Sequence, residues 1–255
     1  MSTVANRGTM KSSSKRASAF IAFMAVAAVV LLVQNATGTH HWHRLEFVSL
    51  LVAGAVSSRL KVRLPGINGN MSVNLPFIFI AMTQLNTAEA LAVAGVSVLI
   101  QSVPNAPHKF VPVQALFNFS TALVAAALGS NAFRFESATP WNASLSLVLA
   151  CAVHLLASTV PVAAIISLTD DRPALRTWTD IFHLAFPYYL ASTGLASIAA
   201  GVGGHTSWPT LVGIVLVMFV TYRCYRLYFT AMREQQEAAA SNSQTVSAKS
   251  AVAGQ

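Results

Sequence analysis

The chain reads as an all-α, polytopic transmembrane helical bundle of about eight spans, two of them short or re-entrant, with both termini in the cytoplasm. Three observations lead there. At 55% hydrophobic and 9% charged residues, the chain has too little polar side chain to cover a water-exposed globule of its size. Its apolar residues come in runs of membrane-crossing length, separated by short polar turns. Its Lys and Arg residues cluster on one side of the bilayer once those runs are laid out as spans. The formal charge of +8 is dispersed among apolar runs and forms no basic patch interleaved with aromatics, so nucleic acid is not an expected partner.

The first run, 18–34, follows Arg7, Lys11, Lys15 and Arg16 and lacks a small-residue cleavage site, which favours a signal anchor over a cleaved leader. Residues 1–17 are expected to be a disordered basic segment before it. The second run, 45–60, ends in Arg59, Lys61 and Arg63 ahead of the turn sequence Pro65-Gly66-Ile67-Asn68-Gly69-Asn70. The stretch 71–103 is too long for one crossing of a core about 30 Å thick and barely enough for two. Thr83-Gln84-Leu85-Asn86 divides it into 71–85, bent at Pro76, and 88–103. Run 113–130 leads to a polar loop with Arg134 and Glu136, and run 143–168 carries Pro161. A short interfacial helix is expected at Leu175, Trp178 and Phe182, followed by spans 183–201 and 208–222. Tyr222, Arg223, Tyr225, Arg226 and Tyr228 form an aromatic and cationic collar. The transmembrane domain is thus 18–230, and 231–255 is a short helix with a disordered tail.

Charge tests the count. With two passes across 71–103, only Arg44 and Arg134 of the sixteen basic residues fall outside. With one pass, Arg172, Arg176, Arg223, Arg226 and Arg233 all invert to the outside, against the positive-inside rule.

Polar residues inside the spans are the candidate site. Asn74, Gln84, Glu89, Asn118 and His154 are the expected lining of any ligand cavity, because they are the most costly side chains to strand in lipid. Each has a structural alternative: Glu89 as a helix N-terminal residue favoured by the macrodipole, His154 as a donor to a neighbouring helix, the amides as interhelical bonds. His40, His41 and His43 lack a scaffold that fixes metal geometry, so no metal site is expected. Cys151 and Cys224 lie in or beside apolar runs and predict no disulfide. Gly54/Ser58 and Ser197/Gly201 have the small-residue spacing that allows close helix approach. No cofactor signature, G-x-S-x-G elbow, H-E-x-x-H helix or paired-Asp arrangement occurs, and the chain is not expected to be an enzyme.

The segments Ser58-Arg59-Leu60-Lys61-Val62-Arg63-Leu64-Pro65 and Met71-Ser72-Val73-Asn74-Leu75-Pro76-Phe77, the following hairpin, and Lys109 with Leu116-Phe117-Asn118 resemble a bacterial multi-pass membrane sensor module. In that family the module precedes a diguanylate cyclase or HD-type phosphohydrolase output domain. The resemblance implies a bundle that perceives a membrane-soluble or external cue and passes a shift through its last helix. The residues after Arg233 are too few for such an output domain. The expectation is therefore a sensor-like or ligand-binding module of a bacterial inner membrane, with the lipid bilayer, a small-molecule ligand and a separate signalling protein or membrane partner as its partners. A solute-uptake component or small permease is the alternative, drawn from the helix breaks at Pro76, Pro161 and Pro187. A structural or assembly protein is the third reading.

Overall fold

Lipid offers no partner to a backbone N–H or C=O, so apolar runs of this length must satisfy those groups within themselves as helices. The computed structural model describes residues 3–36, 44–63, 70–103, 111–137, 143–170, 172–201 and 209–224, with positions 227, 228, 230, 231, 234 and 235. In chain order the elements are α1 (Thr3–Ala36), α2 (Arg44–Ser57), β1 (Lys61–Arg63), β2 (Asn70–Ser72), α3 (Leu75–Gln84), α4 (Thr87–Ser102), α5 (Pro112–Ser137), α6 (Ala143–Asp170), α7 (Ala174–Gly201) and α8 (Pro209–Cys224). Three stretches are long and apolar enough to cross a membrane: Lys15–Ala36, Pro112–Phe135 and Leu145–Asp170. The protein is an integral membrane protein with a helical fold. Its outward apolar side chains fit that solvent: Phe23, Val26, Val29 and Val33 are exposed on α1, while Ala17, Met24 and Ala28 turn inward.

The core is built from the shortest helices. In α3, Phe77, Phe79, Ile80 and Ala81 are completely buried, and in α4 so are Glu89, Ala90, Val93 and Ala94. A helix of 10 residues rises only about 15 Å, half the hydrocarbon thickness. Unpaired backbone groups at the ends of so short a helix are costly in lipid, so protein has to surround it. Helices α2, α4, α5 and α7 pack around α3.

Each end of this hairpin is satisfied internally. At the start of α3, Pro76 stands at the first turn, where its missing N–H removes no bond. The Asn74 carbonyl accepts from the amides of Phe77 and Ile78 at 3.2 and 3.4 Å. The Leu75 amide donates to the Tyr188 hydroxyl at 3.0 Å, across 113 residues of sequence. At the far end, Arg134 Nη2 donates to the Leu85 carbonyl at 2.8 Å, a cation placed on a helix C-terminus. Helix α4 opens with a reciprocal capping box: Glu89 N–H donates to Asn86 Oδ1 at 2.9 Å, and Asn86 N–H donates to Glu89 Oε2 at 3.2 Å.

Close approach is set by small residues. A Cβ at Gly54 of α2 would lie 2.8 Å from Ser97 Oγ of α4, and one at Gly95 would lie 2.9 Å from the Phe119 ring. The Gly54/Ser58 spacing thus marks a real helix contact, and Ser58 Oγ turns back to donate to the Gly54 carbonyl at 2.7 Å.

Several expectations are corrected. Beside the helices of this all-α fold, β1 and β2 form one short antiparallel pair, with Lys61 opposite Ser72 and Arg63 opposite Asn70. This hairpin takes residues 71 and 72 from the expected helix 71–85, and Pro76 starts α3 instead of bending it. Arg134 is in the last turn of α5, not in a loop, because helical geometry carries its guanidinium to the Leu85 carbonyl. The expected break between an interfacial helix and span 183–201 is absent: α7 runs unbroken from Ala174, with Trp178, Phe182 and Phe186 stacking one turn apart at 5.4 and 5.3 Å. Helix α1 runs from Thr3 to Ala36, through the expected start of the first run at position 18. The expectations for His40, His41, His43, Tyr225, Arg226 and the tail 236–255 lie outside the described residues.

Candidate functional site

Helices α5 and α6 run antiparallel and meet at Gly129, whose absent side chain leaves room for the backbone oxygen of Ala150 and Cβ of His154, 3.2 and 3.3 Å from where a Cβ would stand. This close packing seals one side of His154, which is 4% exposed. His154 lies nine residues after Leu145, roughly 14 Å into that candidate membrane span. Phe79, from the central α3, sets its ring edge-on to the imidazole at 5.3 Å and 88°.

The other wall is α7. Tyr189 Oη lies 3.1 Å from His154 Nδ1 and 2.7 Å from Ser158 Oγ, so a histidine, a phenol and a hydroxyl form one continuous chain. Ser158 Oγ is also 3.0 Å from the Leu155 carbonyl. Further along, Trp178 Nε1 donates to Thr159 Oγ1 at 3.2 Å, and Thr159 Oγ1 donates to the Leu155 carbonyl at 2.7 Å. Cys151 hydrogen-bonds to Thr193, whose hydroxyl donates to the Tyr189 carbonyl at 2.8 Å. Pro161 in α6 and Pro187 in α7 bracket this seam, each leaving the carbonyl four residues earlier without its helical donor.

The five sequence candidates do not converge. Asn74 and Gln84 stand at opposite ends of α3, about 15 Å apart along its axis. Glu89 is fully buried and its carboxylate is engaged in the capping box. Asn118 precedes Gly129 by eleven residues, roughly 16 Å along α5 from the level of His154. His154 alone sits in a polar seam between helices. Among the described residues no group of three or more His, Cys, Asp or Glu side chains is placed to hold a metal ion.

Sequence reasoning missed Tyr189, Ser158, Thr159, Trp178 and Phe79. One signal was present: Pro187-Tyr188-Tyr189 puts two phenols inside an apolar helix, where each hydroxyl needs a partner. The partners themselves, 35 and 31 residues away, carry no sequence mark. No family model, no curated protein and no solved structure matches the chain.

Proposed function

We propose that this chain is a ligand-sensing membrane module, and that His154, Tyr189 and Ser158 form its ligand-responsive site. The observation that carries this reading is the hydrogen-bonded His154–Tyr189–Ser158 chain, two of whose members lie within the candidate span Leu145–Asp170. Ionisable side chains inside a membrane span are expensive and are kept for function by default. This one is also coupled to the centre of the fold, because Phe79 of α3 contacts both rings, at 5.3 Å to His154 and 5.8 Å to Tyr189. A change at the imidazole is therefore felt by the central hairpin and by α7 together.

In this reading the chain makes eight crossings of a bacterial inner membrane, α3 and α4 serving as the short pair, and both ends are cytoplasmic. The basic β-hairpin and the collar around Tyr222 then face a cytoplasmic signalling partner, and the chain itself is not a catalyst. Crosslinking in cells followed by purification of the full chain is expected to recover that partner. His154→Leu is expected to alter second-messenger levels as deletion does. Recovery of no partner, with levels unchanged on deletion, overturns the reading.

A small permease is the second reading. It is favoured by α3, a half-crossing whose first amide is held by a side chain of another helix, as in discontinuous transporter helices. Solute uptake by proteoliposomes holding the purified chain decides for it.

A further inference from the structure

The direction of each hydrogen bond along the α6–α7 seam follows from the protons each group owns. An indole Nε1–H only donates, so Trp178 gives its proton to Thr159 Oγ1. The single Thr159 hydroxyl proton is then the one that bonds the Leu155 carbonyl at 2.7 Å. Within α6 that carbonyl also receives the amide of residue 159 in the helical ladder, so both its lone pairs are engaged. Ser158 Oγ, 3.0 Å from the same oxygen, faces a filled acceptor, while Tyr189 Oη lies closer at 2.7 Å. The Ser158 proton goes to Tyr189, and the Tyr189 proton goes to His154 Nδ1. A ring nitrogen that accepts carries no hydrogen, so the imidazole proton is on Nε2.

We infer that Thr159, oriented by Trp178, is a positioning residue that holds His154 in its Nε2–H tautomer. The site therefore offers a donor and selects ligands by a hydrogen-bond acceptor, such as a carbonyl or ether oxygen. Among the described residues nothing bonds Nε2, on a side chain 4% exposed. The reverse chain has Ser158 donating to Leu155, Tyr189 to Ser158 and His154 Nδ1–H to Tyr189, which turns Nε2 into an acceptor. Filling of the Leu155 carbonyl by Thr159 is what disfavours it.

The choice of ligand class rests on His154 being the ligand site, but the tautomer is read without ligand, so the two claims fail separately. The full chain, labelled with ¹⁵N-histidine and placed in lipid nanodiscs, reports by NMR which ring nitrogen is protonated; His154→Gln identifies the His154 signals. Wild type is expected to show Nε2–H. Thr159→Val frees a lone pair on Leu155 and is expected to move the proton largely to Nδ1, while Thr159→Ser keeps the wild-type form. Ser158→Ala cuts the link from Thr159 to Tyr189 and is expected to let part of the proton move to Nδ1. An Nδ1–H wild type, or a Thr159→Val or Ser158→Ala spectrum like wild type, overturns the inference. Should Thr159→Val not fold, wild type and Ser158→Ala decide alone, since the reverse chain gives Nδ1–H in wild type.

Discussion

Tyr188→Phe removes a hydrogen bond on which the central hairpin depends. The substitution removes a single oxygen and leaves the ring, 3% exposed, to fill the same space. The Leu75 amide loses the acceptor it holds at 3.0 Å at the buried start of α3. Neighbouring atoms offer little relief: Leu75 is 6% exposed, Pro76 has no N–H, and the Asn74 carbonyl already serves Phe77 and Ile78. A buried amide left unpaired costs about 1–3 kcal/mol. Interhelical bonds in membranes average nearer 0.6 and reach roughly 1.7 kcal/mol, because the unfolded chain in lipid also finds partners. The two ranges overlap near about 1.5 kcal/mol, which for a chain of this size lowers Tm by about 3–6 °C. Thermal unfolding of the detergent-purified chain, followed by intrinsic fluorescence, measures it. A Tm within a degree of wild type refutes the argument that α3 is pinned through Tyr188.

Further outcomes follow from the same contacts. Glu89→Gln keeps an acceptor for the Asn86 amide and is expected to leave Tm nearly unchanged, whereas Glu89→Ala removes half of the capping box and costs about 1 kcal/mol; equal losses in both point to a role for the charge itself. Gly54→Ala presses on Ser97 Oγ and is expected to cost about 1–2 kcal/mol, most of it recovered by adding Ser97→Ala. Ser97→Ala alone is expected to be neutral or stabilising, since its buried hydroxyl has no partner among the described residues. Gly194→Ala, with nothing within 4 Å, is expected to gain about 0.5 kcal/mol by the same measurement.

Much of the fold was legible because it depends on local patterns. The apolar runs gave α5, α6 and α8 to within a few residues at most boundaries, and Asn86 followed three residues later by Glu89 is the capping signature that α4 uses. Asn74-Leu75-Pro76 was equally informative, since proline at a first helical turn marks a start, yet inside a long apolar run it reads as a kink. The unbroken α7 was hidden because Arg176, Thr179 and Asp180 resemble an interface, while the aromatic stack that continues the helix has the same spacing as an amphipathic face. The site was legible only at His154. Tyr189 and Ser158 look like ordinary residues of Ala-rich helices, and only tertiary packing, set by Gly129 and Phe79, gathers them. Arg134 escaped for the same reason, its partner being a backbone carbonyl 49 residues away.

All of these assignments of depth and side depend on the α3–α4 pair returning the chain to the side it left. Reporter fusions test that directly. Fused after Cys224, a fluorescent protein that matures only in the cytoplasm is expected to glow and alkaline phosphatase to stay inactive, with the opposite pair for fusions at 138–142. An active phosphatase after Cys224 contradicts the account, because it puts the collar, the last helix end and the proposed partner on opposite sides of the membrane.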